Sequence, residues 1–216
     1  MRSRALAAAA PPVDPLQKVQ RARKWMLRGL LALSLVPIFV TDTYWYNRAP
    51  LLYHGIERLG VLLIVACILG RTWCALYIGG RKKRELVMYG PYSLSRNPLY
   101  LFSMIGAFGI GAQSGSLTIA GWFTLMTFLV FRSVVRNEEQ YLAGQFPNEF
   151  PAYARRVPRF WPRPSRWQDV EELLIRPKTV QRTFVEASLF LLSIPAADLL
   201  EMLQRDGVIP VLFLLP

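Results

Sequence analysis

The sequence contains few of the histidine and cysteine residues that form metal centres and redox sites. Its 216 residues include one histidine, His54, and two cysteines, Cys67 and Cys74, which do not form a C-x-x-C pair. This composition indicates neither a disulfide framework nor a metal site. Zinc-finger spacings and RNA-binding aromatic motifs are also absent from the sequence. The net charge of +12 is therefore no sign of a nucleic-acid partner, and we expect none.

Charged residues are scarce as well, at 19%, and they cluster between long apolar blocks. Hydrophobic residues make up 53% of the chain and the mean hydropathy is +0.26, which is too apolar for a soluble domain of this length. Basic residues that flank apolar spans orient those spans and contact anionic lipids. The sequence therefore predicts an all-α integral membrane protein with four to five transmembrane helices and a cytoplasmic C-terminal cap.

The chain divides into four predicted segments. A disordered basic tail over residues 1–24 precedes a transmembrane region over 25–136, whose apolar runs are predicted to cross the bilayer at about 25–41, 51–70, 99–113 and 117–135. Residues 137–182 are polar and punctuated by proline, and we expect a compact cap on the membrane surface. Residues 183–216 are predicted to form an amphipathic or fifth membrane helix and an apolar tail that is too short to cross.

The third and fourth runs are joined by the short turn Ser114-Gly-Ser116, which predicts a helical hairpin. Small residues would let its two helices approach closely. They are Gly106, Gly109 and Gly111 on one helix and Ala120 and Gly121 on the other.

The basic residues also predict the orientation of the spans. Basic segments precede the first run, follow the second run at Arg81-Lys-Lys-Arg84, and follow the fourth run. An even number of crossings separates them, and cytoplasmic loops carry the excess of Lys and Arg. We therefore expect the N-terminus and all three segments to be cytoplasmic. Arg71, at the end of the second run, is expected to reach the lipid headgroups as a snorkelling side chain.

Charges are dense where the fourth run ends. Arg132, Arg136 and Glu139 follow i, i+4, i+7 spacing and share one helix face, with Glu138 on the adjacent stripe. Such a group can bind a zwitterion, because arginine takes a carboxylate bidentately and glutamate takes an ammonium group or ribose hydroxyls. The same pattern is also typical of a solvated set of ion pairs at the end of a span.

A second polar stretch, Tyr89 to Tyr100, precedes the third run. Gly90-Pro91 and Asn97-Pro98 each indicate a turn, and Pro98 suits the first turn of a helix. The free N–H groups of that helix start would point at any bound polar ligand. By themselves these features are also compatible with two interfacial turns.

Both polar stretches resemble a known enzyme family. Gly90-Pro-Tyr-Ser-Leu-Ser-Arg-Asn-Pro-Leu-Tyr100 resembles the Gly-x-Tyr…Arg-His-Pro-x-Tyr motif of the isoprenylcysteine carboxyl methyltransferases, which are related to the phospholipid N-methyltransferases. Glu138-Glu139-x-Tyr-Leu, with Phe146, Tyr153 and Arg156-Val-Pro158, is similar to that family's second motif. Leu69-Gly-Arg-x-Trp73 and Glu85-Leu-Val-x-x-Gly90 look like bacterial members. The resemblance covers roughly residues 60–162, with the motifs in the same order.

The resemblance implies a membrane enzyme in the inner membrane of a bacterium, which binds S-adenosylmethionine on its cytoplasmic side and takes a lipophilic acceptor from the bilayer. The cofactor-binding residues it implies are Tyr92, Arg96, Asn97, Pro98, Tyr100, Glu138 and Glu139. Arg132 and Arg136 are expected to hold a carboxylate of the cofactor or the acceptor, and together with Glu138 and Glu139 they form the predicted catalytic set. The sequence departs from the family at Asn97, where histidine is usual, and at Phe102, where glycine is common.

The resemblance implies carboxyl O-methylation of a prenylcysteine-like acceptor, and the residues agree with this reaction, because a carboxylate nucleophile needs no general base and the one histidine is remote. Catalysis would then come from alignment and from the exclusion of water. Three alternatives stay open: N-methylation of a phospholipid amine with Glu138 as base, a sterol-reductase-like enzyme that uses a nicotinamide cofactor, and a non-catalytic protein that binds lipid. The expected partners are membrane lipids and a lipophilic substrate, while the oligomeric state is open.

Overall fold

The computed structural model describes residues 36–81 and 85–216. The predicted tail (1–24), most of the predicted first span (25–41) and the centre of the basic cluster at 81–84 lie outside these residues.

Helices make up nearly all of the regular structure in the described part of the chain. They are α1 (Trp45–Arg48), α2 (Pro50–Ile78), α3 (Pro91–Leu94), α4 (Pro98–Ala112), α5 (Leu117–Gln145), α6 (Glu149–Arg156), α7 (Pro177–Ser188) and α8 (Ser193–Arg205), with 3₁₀ turns at Pro164–Arg166 and Leu189–Leu192. Residues 36–40 are also helical. This architecture confirms the predicted all-α fold class.

Three of the described helical stretches are long and apolar enough to span a bilayer: Pro50–Ile78, Leu117–Gln145 and Pro177–Arg205. The first two each have 29 residues, or about 44 Å at 1.5 Å per residue, which exceeds the roughly 30 Å hydrocarbon core. They extend well beyond the predicted runs 51–70 and 117–135. The third, formed by α7, a 3₁₀ turn and α8, begins six residues before the predicted boundary at 183.

The apolar tail adds a small element that the periodicity did not indicate. Strand β2 (Phe213–Leu215) pairs in parallel with strand β1 (Thr41–Thr43), with Thr41 opposite Phe213. Ser116, at the start of α5, donates a hydrogen bond of 2.5 Å to the carbonyl of Pro216. The tail therefore returns to the end of the molecule where α4 and α5 are joined.

The predicted hairpin forms, but only part of its predicted packing is seen. A Cβ on Gly111 would come within 2.6 Å of Ala120, so that α4 and α5 do approach closely there. Gly109 instead faces α2, where a Cβ would lie 2.7 Å from the carbonyl oxygen of Gly60. Gly106 faces Cys67 on α2, and Gly121 meets nothing within 4 Å. The small residues of α4 therefore serve two interfaces, because α4 packs against both α2 and α5.

Candidate functional site

The start of α4 is built by two tight turns. Gly90 has φ +58°, and a Cβ there would lie 2.2 Å from the Tyr77 ring, so that only glycine fits. Helix α3 follows at once, and Pro98 then begins α4. Asn97 is the residue before that helix, but its side chain does not cap it. It points across to α5 instead.

Glu139, on α5, is the acceptor that the Asn97 side chain meets. Asn97 Nδ2 donates to Glu139 Oε1 at 3.2 Å and also to the Arg159 carbonyl at 3.2 Å. Arg159 donates to Glu139 Oε2 from Nε and Nη2 at 3.0 and 2.6 Å, and Arg96 Nη1 lies 3.4 Å from Oε1. Both Glu139 and Asn97 are buried. Glu139 is therefore used mainly to join the start of α4, the end of α5 and the loop that follows α6.

Glu138 has a different position from its neighbour. It is half-buried, and its Oε2 accepts a hydrogen bond of 3.0 Å from the Tyr100 hydroxyl on α4. Glu138 and Tyr100 both line a cavity of about 530 Å³, within the roughly 300–1,000 Å³ typical of small-molecule sites. Glu138 therefore presents its carboxylate where a ligand could meet it.

The cavity lies between α2, the start of α4, the end of α5 and α7. Its lining includes six of the predicted cofactor residues: Tyr92, Arg96, Asn97, Tyr100, Glu138 and Glu139. Among the described residues, the charged groups of the lining are four carboxylates and two guanidinium groups, which belong to Glu85, Glu138, Glu139, Glu186, Arg71 and Arg96. Apolar side chains such as Leu99, Leu142 and Phe150 supply much of the remaining wall. A ligand with both charge signs and an apolar part would match this lining.

Three buried polar atoms at the cavity have no hydrogen-bond partner among the described residues. They are Nε of Arg71, the hydroxyl of Tyr92 and Nε of Arg96. Buried polar groups are nearly always paired, and an unpaired one costs about 1–3 kcal/mol. All three residues line the same cavity, which points to a polar ligand as their common partner.

Burial also keeps the tyrosines of this region in their neutral form. Burial raises the pKa of the Tyr92 hydroxyl well above its ordinary value, and it raises the pKa of Tyr153 as well. Tyr153 donates a hydrogen bond of 2.8 Å to the Tyr92 carbonyl, which ties α6 to α3. Tyr92 is therefore a neutral donor toward the cavity and not an acid–base group near pH 7.

The structure separates the other sequence-predicted residues from the cavity. Arg132 and Arg136 are exposed and do not line it, although Glu139 on the same helix does. The loop after α6 covers one side of the end of α5. Glu139 is therefore buried, whereas Arg132 and Arg136, which were predicted to share its helix face, are exposed. Pro98 is buried at the start of α4 and also does not line the cavity. No hydrogen bond links Arg132 or Arg136 to Glu139 within the described residues.

Two arginines that the sequence analysis did not assign to the site lie next to it: Arg159 pairs with Glu139, and Arg71 lines the cavity. Arg159 follows directly after the Arg156-Val-Pro158 motif, which was the signal that could have found it. Arg71 points inward and not to the headgroups: its Nη1 donates to Ser103 Oγ on α4, and it lines the cavity. Placing an arginine inside a membrane span costs free energy, so that such a residue is a functional candidate for that reason alone. This argument would have found Arg71.

A second, smaller cavity of about 250 Å³ lies where Thr41, Gln113 and Glu201 approach one another. Its lining is mainly apolar. No group of three or more His, Cys, Asp or Glu side chains is placed to hold a metal ion in the part of the chain that the structure describes.

Comparison with known proteins identifies the class. Residues 58–149 match the sequence profile of the phospholipid methyltransferase family. This range contains α3, α4 and α5, most of α2, and most residues that line the larger cavity. The chain belongs to this family of membrane methyltransferases, which confirms the family predicted from the two motifs.

Two relatives match far more of the chain than the family profile does. The nickel-cobalt-cadmium resistance protein NccN of Alcaligenes xylosoxydans xylosoxydans is 34% identical over 209 residues, which cover 97% of this chain and 96% of the relative. The cobalt-zinc-cadmium resistance protein CzcN of Cupriavidus metallidurans is 37% identical over 191 residues, or 88% of this chain and 86% of the relative. No solved structure matches the chain significantly.

Proposed function

We propose that the protein transfers a methyl group from S-adenosylmethionine to the carboxylate of a lipophilic, prenylcysteine-like acceptor in the larger cavity. The observation that carries this proposal is the set of three unpaired buried polar atoms, on Arg71, Tyr92 and Arg96, that line one cavity. The family supports methyl transfer, and the charges of the lining support the cofactor and the kind of acceptor.

The residues at the cavity fit S-adenosylmethionine. This cofactor carries a carboxylate, an ammonium group, ribose hydroxyls and a sulfonium that supplies the activated methyl group. Arg96 lines the cavity and its buried Nε has no partner among the described residues, so that this guanidinium group is the one that would hold the carboxylate. Glu138 can accept from the ammonium group or the ribose.

Arg71 supplies the argument for a carboxylate acceptor. A cavity that binds one carboxylate through Arg96 has a second guanidinium group on α2, with its own unpaired Nε. Arg71 is half-buried, and its partner Ser103 is neutral, so that a second carboxylate would supply the anion that it lacks among the described residues. Arg71 would then orient the acceptor carboxylate toward the methyl group.

In this reaction the residues of the chain hold the cofactor and the acceptor in position, and they exclude water. Arg71 and Arg96 fix two carboxylates, Glu138 fixes the cationic end of the cofactor, and neutral Tyr92 adds a donor. A carboxylate attacks a sulfonium methyl without losing a proton, so no base is required. The apolar wall keeps water out and strengthens each of these contacts. Asn97 and Glu139 keep Arg96 in place.

A second candidate is N-methylation of a phospholipid amine. The family carries the phospholipid methyltransferase description, and Glu138 at the cavity is a carboxylate that could accept the proton an amine must lose. Family membership favours methyl transfer over the nicotinamide-dependent reduction. The remaining alternative is lipid binding without catalysis.

The setting of the activity is part of the proposal. We place the cavity on the cytoplasmic side of a bacterial inner membrane, because the arginine-rich residues that follow α6 lie at the same end of the spans as the cavity, and loops rich in Lys and Arg face the cytoplasm. The relatives are named for resistance to nickel, cobalt, zinc and cadmium. Methylated lipids should therefore be compared between cells with and without the protein, both in the absence and in the presence of cobalt.

Binding of labelled S-adenosylmethionine to the purified full-length protein tests the cofactor. Saturable binding is expected, with loss in Arg96→Gln and none in the matched variant Arg132→Gln, which changes an exposed arginine on α5. Absence of saturable binding would refute both methyltransferase proposals and leave the lipid-binding alternative. Loss in Arg132→Gln with normal binding in Arg96→Gln would favour the site predicted from the sequence over this one.

Transfer assays then choose the acceptor. We expect label to pass to a farnesylcysteine analogue and not to phosphatidylethanolamine. The reverse result would establish the second candidate, and in that case Glu138→Gln should abolish transfer while Arg71→Gln should be nearly silent.

A further inference from the structure

The segment that follows α6 has an unusual composition. Residues 155–167, Arg155-Arg-Val-Pro-Arg-Phe-Trp-Pro-Arg-Pro-Ser-Arg-Trp167, contain five arginines and three aromatic residues but no acidic residue. We call these residues the arginine segment. One of its side chains, Arg159, pairs with Glu139 beside the larger cavity, and the methyl-transfer proposal gives no role to the others.

The backbone of the arginine segment is fixed to the rest of the fold. The Arg96 N–H donates to the Pro158 carbonyl at 2.9 Å, and the Arg163 N–H donates to the Leu94 carbonyl at 3.1 Å. Val157 is buried in a cluster with Phe150 and Tyr153. The segment is therefore an ordered surface whose side chains have defined directions.

Its arginines divide into one that points inward and others that point outward. Arg159 turns in to Glu139 and Arg166 donates a hydrogen bond of 2.5 Å to the Arg156 carbonyl, whereas Arg155, Arg156 and Arg163 are exposed. None of these three forms an ion pair with an acidic side chain of the described residues. Three neighbouring cations without anions form a surface of one sign, which attracts a polyanionic partner.

The aromatic residues place this surface at the level of the membrane. Trp167 stacks on Trp73 at 5.8 Å, and the Phe160 ring packs at 5.8 Å from Phe128 on α5. Phe128 lies in the apolar part of α5, one helical turn or about 6 Å before Arg132. Trp161, next to Phe160, is 82% exposed. At that level an exposed indole has lipid beside it, and tryptophan is enriched where the bilayer meets water.

We propose that the arginine segment is a lipid-binding surface, in which Trp161 inserts beside the acyl chains while Arg155, Arg156 and Arg163 hold anionic phospholipid headgroups. Charge complementarity identifies the headgroup, because phosphate takes arginine through two parallel N–H bonds. The depth of Phe160 identifies a bilayer and not a soluble acidic protein as the occupant. This surface does not depend on the proposed methyl transfer.

Fluorescence of Trp161 tests its depth. The full-length protein is placed in nanodiscs that contain phosphatidylcholine brominated near the headgroup end of its acyl chains, and Trp161→Phe serves as the reference for the remaining tryptophans. The fluorescence that Trp161 contributes should be quenched by the brominated lipid and protected from aqueous iodide. Quenching by iodide alone would overturn the proposal.

Retention of anionic lipid tests the arginines. The wild type should retain phosphatidylglycerol over phosphatidylcholine, measured by native mass spectrometry of the detergent-released protein. Each arginine near an anionic surface strengthens binding by about fivefold, so that Arg155→Gln/Arg156→Gln/Arg163→Gln should weaken retention by about a hundredfold if all three contribute fully. All three positions are exposed, and monodisperse size-exclusion elution verifies that the variant is folded.

The matched control removes the same charge from arginines that already have partners. In Arg48→Gln/Arg182→Gln/Arg205→Gln the altered side chains contact the Tyr44 ring, Glu186 and Glu201. This variant should retain phosphatidylglycerol as the wild type does. Equal loss in both triple variants would show a general charge effect, and no loss in the segment variant would show that the segment is only solvated. Either result overturns the proposal.

Discussion

The carboxylate of Glu139 is predicted to hold the site together and not to bind the cofactor, and Glu139→Gln tests this. The substitution keeps the shape of the side chain and one acceptor oxygen, but it removes the charge that Arg96, Asn97 and Arg159 share. The side chain of Glu139 is 10% exposed, against 15% for Arg96 and 41% for Arg159. Most of the loss of stability should therefore come from the buried Arg96 pair.

The magnitude follows from these exposures. The Arg159 pair is partly exposed, and solvent screening limits its loss to about 1 kcal/mol. Arg96 would stay buried without its anion, at a cost of about 1–3 kcal/mol. We expect Glu139→Gln to lower the free energy of unfolding by about 3 kcal/mol, measured by denaturant titration in mild detergent. Adding Arg159→Gln should cost less than the sum of the two single changes, because the two residues are in contact.

Glu138→Gln is the matched control, since it alters the neighbouring carboxylate that faces the cavity. It should lower the free energy of unfolding by no more than about 1 kcal/mol while weakening S-adenosylmethionine binding, measured by titration calorimetry. An unchanged stability in Glu139→Gln, together with a binding defect equal to that of Glu138→Gln, would refute the reasoning and return Glu139 to the role predicted from the sequence.

Four other substitutions have distinct expected outcomes. Arg71→Gln should raise KM for a carboxylate acceptor at least about tenfold, as expected for the loss of a charged hydrogen bond, and leave cofactor binding intact; a normal KM would remove Arg71 from the site. Tyr92→Phe removes a buried hydroxyl that has no partner among the described residues. The free energy of unfolding of the unliganded protein should therefore rise by about 1–3 kcal/mol, and the affinity for the cofactor should fall. Because burial raises the pKa of Tyr92 and Tyr153 above their ordinary value of 10.0, the folded state keeps protons that the unfolded chain loses, and stability should fall as the pH rises above 10.0. Tyr92→Phe should make that fall shallower, and an unchanged slope would contradict the assignment. Gly109→Ala should disrupt the contact of α4 with α2 and lower thermal stability, whereas Gly121→Ala, which meets nothing within 4 Å, should be neutral or stabilising; equal effects would contradict the packing described here.

Much of the architecture could be predicted because membrane spans are encoded by local composition. Apolar runs indicated α2, α4 and α5 near their observed positions, and turn residues indicated the start of α4 at Pro98. The helix ends were less predictable: α5 continues ten residues past its predicted end at 135. Polar residues extend a helix as readily as apolar ones, so that hydropathy marks the membrane and not the end of the helix.

The site was predictable to the extent that it depends on motifs. Tyr92, Arg96, Asn97, Tyr100, Glu138 and Glu139 were named from the two polar stretches, and the hairpin brings all six to one cavity. Their individual roles still await the measurements above. The prediction for Arg132 and Arg136 rested on helical spacing alone, and spacing gives the face of a helix but not what covers that face.

The sequence by itself determined that the chain is a helical membrane protein with two polar stretches at one end of a hairpin, because hydropathy, turns and motifs are local properties. Only the tertiary structure decided which charges meet. Glu139 faces Arg96 and Arg159, Glu138 faces the cavity, and Arg71 turns inward from a distant part of the chain. Those pairings depend on how α2, α4, α5 and the loop after α6 pack together. A contact between residues far apart in sequence leaves no local pattern, and the packing alone selects the partner of each charge.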